Sequence, residues 1–145
     1  MERKSRLNAG LFSSTTDQWA TPQDFFDKPD AEFHFSLDPC ASEDNAKCKK
    51  YFTEDDNGLI QNWGGQRVFC NPPYGREISK WVRKCSEESK KPNTLCVMLI
   101  PARTDTSYFH DYIYHKAEIR FIRGRLKFGG SSQGAPFPSM VVIFR

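Results

Sequence analysis

The sequence predicts an α/β fold in one compact domain, with a mostly parallel sheet and an antiparallel strand at its carboxyl end. Apolar runs that suit strands alternate with helical segments, and this alternation implies parallel strands joined by right-handed crossovers. The run 95–100 is continuously apolar, as expected of a strand buried on both faces of a parallel sheet. The last two predicted strands have no helix between them, which favours an antiparallel hairpin.

A helix and two strands are predicted in the first part of the chain. Thr21 followed by Pro22 is typical of a helix start, with a hydroxyl N-cap and proline at the first helical position. The segment 33–38 alternates between apolar and polar residues and predicts the first strand. We expect a short polar helix over 43–50 and a brief second strand over 51–53.

The second part of the chain begins with an apolar strand over 68–70. Apolar residues at i, i+3, i+4 and i+7, starting at Ile78, predict one face of an amphipathic helix. After the strand at 95–100 we expect a second helix over about 106–115. Strands over 117–122 and 139–144 complete the pattern.

Length and composition indicate one folded domain. The 145 residues are 38% hydrophobic and 14% aromatic, which is enough to bury a core and unlike a disordered chain. Residues 1–16 are polar and rich in serine and threonine, so we expect a flexible amino-terminal arm there. The folded domain is expected over residues 17–145.

Charge is distributed unevenly along the chain. Residues 1–75 carry 8 Lys/Arg against 12 Asp/Glu, a net charge of −4, whereas residues 76–145 carry 13 against 6, a net charge of +7. A basic second half suits a polyanionic partner. Solvated helix faces would give the same count, so charge alone leaves both interpretations open.

The five cysteines indicate a reducing, intracellular setting. Their number is odd, no Cys-x-x-Cys occurs, and Cys70 and Cys96 lie inside apolar runs. The three histidines do not stand at zinc-ligand spacing from the cysteines, so no metal site is expected. We find no signal peptide and no apolar run long enough to span a membrane.

The segment Asn71-Pro72-Pro73-Tyr74-Gly75 directly follows the strand at 68–70. Two consecutive prolines lack backbone N–H groups, so the strand must stop there. A residue before proline is held extended, which fixes the backbone of Asn71. An amide, backbone carbonyls and an aromatic ring are therefore expected at the carboxyl end of the strand, where open α/β sheets bind ligands.

This arrangement suits chemistry on a planar amine. The exocyclic amine of adenine is a poor nucleophile because its lone pair is delocalised into the ring. The Asn71 side-chain oxygen and the Pro72 carbonyl can accept its two hydrogens and free the lone pair, and a neutral amide does so without burying a permanent charge. Tyr74 can stack on the base. The alternative is a simple turn, since Asn, Pro and Gly are all turn formers.

Several motifs together resemble a known family. Asn71-Pro72-Pro73-Tyr74 looks like the catalytic motif of amino-group DNA methyltransferases, Trp19-Ala20-Thr21-Pro22 resembles their amino-terminal Thr-Pro motif, and the segment 37–41 resembles a reduced first cofactor motif. With the segments 101–105 and 124–128, the set is similar to the phage-type DNA N-6-adenine methyltransferases (Dam family). The resemblance spans roughly residues 17–144.

The resemblance implies a Rossmann-like fold of class I S-adenosylmethionine-dependent methyltransferases, with a seven-stranded sheet or a trimmed version of it. It implies that Asn71, Pro72, Pro73 and Tyr74 are catalytic and that S-adenosyl-L-methionine is the cofactor. Small residues replace the usual glycines of the first cofactor motif. One of Glu54, Asp55 and Asp56 is expected to bind the ribose. The residues expected at the cofactor are Trp19, Ala20, Thr21, Pro22, Asp38, Pro39, Cys40, Ala41, Asp55, Asp56 and Asn71.

The resemblance also implies a partner, double-stranded DNA, and a phage or prophage enzyme in the bacterial cytoplasm that protects DNA from restriction. No membrane partner is expected, and the sequence leaves a monomer or a weak dimer open. Basic residues of the second half would supply the DNA contacts, because no separate recognition domain is evident. They are Arg76, Lys80, Arg103, Arg123, Arg125 and Lys127.

Three functions stay open at this point. The first is site-specific methylation of the N-6 amine of adenine in DNA. The second is methylation of RNA or of a protein glutamine amide, because an amide nitrogen poses a similar chemical problem. The third is a catalytically degenerate module that binds nucleic acid.

Overall fold

The computed structural model describes residues 19–130 and 132–145. Within these residues one mixed sheet of six strands forms, in the order β2-β1-β3-β4-β6-β5. The predicted arm over residues 1–16 lies outside the described residues. The strands are β1 (Leu37–Asp38), β2 (Lys50–Tyr51), β3 (Arg67–Cys70), β4 (Leu95–Pro101), β5 (Glu118–Phe121) and β6 (Ser139–Phe144).

The strand directions confirm the predicted fold class. β1 to β4 are mutually parallel, and β6 runs antiparallel between β4 and β5. The arrangement is the Rossmann-like sheet that the resemblance implies, in a trimmed form with six strands. β4 lies near the centre and all seven of its residues are buried, as its unbroken apolar sequence predicts.

Two helices flank the sheet, α1 (Gln23–Phe33) and α2 (Ile78–Glu88). The predicted face of α2 is confirmed, because its apolar positions are buried against the core. The helix predicted over 106–115 is shorter than expected and consists mainly of a π-helical turn at Phe109–Ile113. No helix of the described residues is long and apolar enough to cross a membrane.

The prediction of a strand over 33–38 is correct only for its last two residues. α1 continues to Phe33 and β1 contains two residues. The end of the helix is fixed by Asp30, whose carbonyl accepts from His34 N at 2.8 Å and whose carboxylate accepts from Phe35 N at 2.9 Å. His34 has the left-handed φ of 55° that commonly ends helices. Local capping therefore outweighs the alternating pattern.

The short helix predicted over 43–50 does not form, and turns occupy this stretch. Asn45 Oδ1 accepts from Ser42 N at 2.8 Å and closes the turn there. Asp38 Oδ2 accepts from Lys47 N at 3.0 Å, an N–H group that a helix over 43–50 would direct to the carbonyl of Glu43. Aspartate competes with helical hydrogen bonds in this way.

Candidate active site

The topology gathers the proline-flanked strand ends at one edge of the sheet. β1, β3 and β4 are parallel, so Asp38, Asn71 and Pro101 lie at or just beyond the same edge. β6 is antiparallel and begins at this edge, and β5 ends there. Asp38 and Asn71, both predicted to lie at the cofactor, are therefore brought to the same edge of the sheet.

Asn71 is held at both ends of its amide. Its Nδ2 donates to Thr21 Oγ1 at 2.8 Å and to the backbone carbonyl of Trp19. Its Oδ1 accepts from the Tyr74 hydroxyl at 2.7 Å. These bonds fix which end of the amide is the acceptor, and they attach a segment fifty residues earlier in the chain to the end of β3.

Thr21 does not cap α1, contrary to the prediction. The N-cap is Pro22, and the helix has no side-chain cap. Thr21 is buried, and its hydroxyl is the acceptor for Asn71 instead. The helix thus starts without a common stabilising contact.

Tyr74 lies inside the core and not at the surface. Its side chain is 5% exposed, and its ring meets Phe128 at 6.2 Å and Phe137 at 5.6 Å, both edge to face. The expected stacking of Tyr74 on a base is not available in this arrangement. Burial raises the pKa of the Tyr74 phenol well above its ordinary value, so the hydroxyl keeps its proton.

The Tyr74 hydroxyl faces two acceptors with a single hydrogen. It lies 2.7 Å from Asn71 Oδ1 and 3.1 Å from the carbonyl of Leu99. Rotation about the phenolic C–O bond can turn the Tyr74 hydroxyl hydrogen from Asn71 Oδ1 toward the Leu99 carbonyl without moving the ring. Asn71 Oδ1 then becomes a free acceptor in a fixed position.

Asp38 is a buried carboxylate, 6% exposed. Burial raises its pKa above the ordinary value, although hydrogen bonds from the backbone N–H groups of Lys47 and Cys40 and the charge of Lys47 oppose that rise. The described protein groups offset only part of the free-energy cost of burying this negative charge. The carboxylate therefore favours a cationic ligand group.

The loop after β1 is tied to the motif, although it lacks the usual glycines. Cys40 Sγ contacts the Asn71 carbonyl at 3.2 Å, and Ala41 N donates to the carbonyl of Phe52 at 2.9 Å. Gly58 approaches the same loop closely from another part of the chain. Only glycine fits there, because a Cβ on Gly58 would lie 2.1 Å from the carbonyl oxygen of Pro39.

A cleft, called here the motif cleft, opens beside these residues. Six of the residues predicted at the cofactor line it, and the predicted catalytic residue Pro72 lines it as well. Sequence reasoning missed Asn45, Lys47 and Phe69. Its lining is Trp19, Ala20, Thr21, Asp38, Cys40, Asn45, Lys47, Phe69, Asn71 and Pro72.

Other predicted cofactor residues lie outside the motif cleft. Pro39 and Ala41 follow β1 but do not line the motif cleft, and Pro22 lines a second cleft. Neither Asp55 nor Asp56 lines the motif cleft. Asp56 Oδ2 accepts from Thr53 N at 2.9 Å and from Thr53 Oγ1 at 3.1 Å, so this carboxylate closes its own turn.

The basic residues predicted at DNA fall into two groups. Arg123, Arg125 and Lys127 line the second cleft together. Arg76, Lys80 and Arg103 are exposed and line neither of the two clefts, and Lys80 Nζ lies 3.2 Å from Glu77 Oε1. Across the part of the chain that the structure describes, no group of three metal-ligating side chains is placed to hold an ion.

Comparisons with known proteins show which family the chain belongs to. The family model described as DNA N-6-adenine-methyltransferase (Dam) matches residues 9–145. A DNA N-6-adenine-methyltransferase of Haemophilus phage HP1 is 32% identical over 139 residues, which cover 90% of this chain and 80% of that protein. A DNA N-6-adenine-methyltransferase of Escherichia phage T1 is 33% identical over 112 residues, which cover 76% of this chain and 46% of that protein.

The family match covers almost the whole chain and includes every motif described above. Of the three functions that the sequence leaves open, it supports the first. The chain therefore belongs to the DNA N-6-adenine-methyltransferase (Dam) family and is a DNA N-6-adenine methyltransferase.

Proposed function

We propose that the chain transfers the methyl group of S-adenosyl-L-methionine to the N-6 amine of adenine, with Asn71 as the central catalytic residue. The observation that carries the proposal is the fixed amide of Asn71, which is oriented by Thr21, Trp19 and Tyr74 at the mouth of the motif cleft. An acceptor held in advance needs little reorganisation when charge develops on the nitrogen.

The motif cleft suits this cofactor by its donor set. S-adenosyl-L-methionine supplies an electrophilic methyl group on a sulfonium when bound. The buried Asp38 carboxylate would accept its ammonium group, because a cation there offsets the cost of burying Asp38. Thr21, Cys40 and Asn71 would line the methionine part, since all three border the same cleft.

The target amine would lie between two acceptors. Asn71 Oδ1 would accept one hydrogen once the Tyr74 hydroxyl turns to Leu99, and the Pro72 carbonyl would accept the other. In the described part of the chain no hydrogen-bond donor reaches the Pro72 carbonyl oxygen. Pro73 stiffens this carbonyl and removes a competing N–H group. Asn71 Oδ1 and the Pro72 carbonyl together would draw the target amine toward a tetrahedral geometry.

The substrate would be double-stranded DNA inside a bacterial cell that carries the phage or prophage. The amine is not accessible within the duplex, so the base must be flipped out at a cost of a few kcal/mol. Positive charge at the carboxyl edge would offset part of this cost. The residues proposed for it are Arg76, Lys80, Arg103, Arg123, Arg125 and Lys127.

Cofactor binding tests the role of Asp38. Calorimetric titration of the wild type with S-adenosyl-L-methionine should show one site, and Asp38→Asn should weaken it about 10- to 100-fold, since a charge-assisted contact contributes roughly 1.5–3 kcal/mol. The affinity should also fall as the pH drops through the pKa of Asp38, which burial places above 3.8, because the protonated form cannot pair with an ammonium.

Asp44→Asn is the matched control, because it makes the same change at an exposed aspartate that lines neither cleft. It should change the affinity less than Asp38→Asn does. Equal affinities of the wild type and Asp38→Asn would show that Asp38 does not hold the cofactor.

A further inference from the structure

A second cleft, called here the α1 cleft, lies between helix α1 and the segment that follows β5. One wall comes from the first turns of α1 and the other from residues 122–127. α1 enters none of the sequence-based expectations about DNA. The lining consists of Pro22, Asp24, Phe25, Lys28, Ile122, Arg123, Arg125, Leu126 and Lys127.

The rim of the α1 cleft is cationic. Lys28 of α1 faces the same space as Arg123, Arg125 and Lys127, and Asp24 is the single carboxylate, so four positive charges stand against one negative charge. Asp24 Oδ1 is already an acceptor for the Phe25 backbone N–H at 2.9 Å. All four cations are exposed.

Several cations elsewhere in the described chain pair with carboxylates. Lys80 of α2 pairs with Glu77, just before that helix, and Arg83 and Lys84 pair with carboxylates of α2. Arg120 of β5 pairs with Glu32 of α1, and Arg145 pairs with Glu118 of β5. The four cations of the α1 cleft pair with no carboxylate in the described part of the chain. Their charge is therefore available to an external anion.

The floor of the cleft is apolar and the basic wall is braced. Phe25, Ile122 and Leu126 are half-buried there. Arg125 Nη1 donates to the Ala135 carbonyl at 3.3 Å, and Ala135 N donates to Leu126 at 2.8 Å. A groove with anion-binding sides and an apolar floor matches a nucleic-acid strand, in which phosphates flank sugars and bases.

The α1 cleft borders the site at Asn71. Pro22 lines the α1 cleft, whereas its neighbour Thr21 lines the motif cleft and accepts from Asn71. The loop beyond the basic wall is tied to the same segment, because Gly129 N donates to the Ala20 carbonyl at 3.0 Å. The segment 19–22 thus forms a partition between the two clefts.

We propose that the α1 cleft binds the sugar–phosphate backbone of the DNA strand next to the target adenine, and that Lys28 of helix α1 is one of its phosphate contacts. This inference rests on the proposed function, because it takes DNA as the substrate. It adds the amino-terminal helix to a DNA surface that the charge distribution alone places in the second half of the chain.

The test measures how salt affects DNA binding by the full chain. Affinities of the wild type, Lys28→Ala and Lys90→Ala for a DNA duplex are determined by fluorescence anisotropy over a range of salt concentrations. Lys90 is the matched control: it is exposed, and it lies between α2 and β4, at the opposite edge of the sheet. Each variant removes one positive charge from a surface lysine.

Lys28→Ala should reduce the slope of log K against log salt by about 0.9, the value for one lost phosphate contact, and should weaken binding to any sequence alike. In methylation assays it should raise KM for DNA and leave kcat unchanged. Lys90→Ala should match the wild type.

A slope for Lys28→Ala equal to that of Lys90→Ala would overturn the proposal, and wild-type methylation in the same preparation would leave the proposed function standing. Suppose instead that Lys28→Ala reduces the slope but the wild type binds DNA and transfers no methyl group. This result would support the proposal for the α1 cleft and contradict the proposed function.

Discussion

The role proposed for Asn71 depends on a position that other residues impose on it. Its two amide ends are bonded to different parts of the chain, the segment 19–21 on one side and Tyr74 on the other. An asparagine in a simple turn would be free to rotate and to exchange its donor and acceptor ends. Orientation of this kind can contribute several kcal/mol to catalysis.

Replacement of Thr21 tests this orientation. Thr21→Val keeps the shape but removes the acceptor for Asn71 Nδ2, so kcat should fall about fivefold, in line with a lost hydrogen bond of roughly 1 kcal/mol. Thr21→Ser should retain most of the activity because it keeps the hydroxyl. Steady-state kinetics on DNA measure both variants, and equal rates for Thr21→Val and Thr21→Ser would show that the contact does not orient Asn71.

The same residues show what the sequence can and cannot predict about the site. Asn71 and Asp38 are predictable because each stands at the end of an apolar run beside a proline. The partner of Asn71 is not predictable, since Thr21-Pro22 is equally typical of a helix cap. Tyr74 is predicted to stack on a base because the sequence gives no sign that Phe128 and Phe137 enclose its ring.

At the scale of the elements, helix α2 is joined to the loop before β3 through one carboxylate. Glu88 accepts from the Trp63 backbone N–H at 2.7 Å and from Lys91 Nζ at 2.8 Å, and it lies 3.6 Å from Lys84 Nζ. Trp63 is fully buried and stacks on Trp81 of α2 at 6.3 Å. The carboxylate thus fixes the helix that follows the Asn71 motif.

Glu88 is expected to make stability depend on pH. Burial raises its pKa, but the bonds from Lys91 and Trp63 and the charges of Lys84 and Lys91 outweigh burial, and the net pKa lies below 4.5. Its contribution is therefore complete above pH 4.5 and is lost as the pH falls through the lowered pKa. Glu88→Gln should reduce the free energy of unfolding at neutral pH by about 2 kcal/mol, and less in acid.

Urea unfolding at neutral and acidic pH measures this effect. Glu87→Gln is the control, because Glu87 is exposed and, among the described residues, pairs with Arg83 alone, at 3.0 Å. Its effect should stay below about 1 kcal/mol at any pH. A difference between the wild type and Glu88→Gln that does not shrink in acid would exclude the carboxylate as its cause.

Whether a helix or strand can be predicted depends on whether the interaction that stabilises it leaves a pattern in the sequence. α2 is predictable because burial of one face spaces its apolar residues at the helical period, and β4 because burial on both faces makes its sequence continuously apolar. The stretch 43–50 is not, because side chains of Asn45 and Asp38 bind the backbone there, and such bonds leave no periodic trace. The end of α1 is missed for the same reason at Asp30.

At the scale of the whole molecule, the chain places two clefts on either side of the segment 19–22, at one edge of a trimmed sheet. One cleft has the buried carboxylate that suits a cationic cofactor, and the other has the cations that suit a polyanion. The uneven charge of the sequence predicts the second property. It does not predict that Lys28, in the acidic half, belongs to the same rim.

Product identification tests the central claim most directly. The wild type and Asn71→Ala are incubated with S-adenosyl-L-methionine and a DNA duplex, and the nucleosides are analysed by mass spectrometry. The wild type should produce N6-methyladenine, and Asn71→Ala, which should still unfold cooperatively, should be slower by about 10²- to 10³-fold. Methylation of another nucleoside, or an Asn71→Ala rate equal to that of the wild type, would contradict the account.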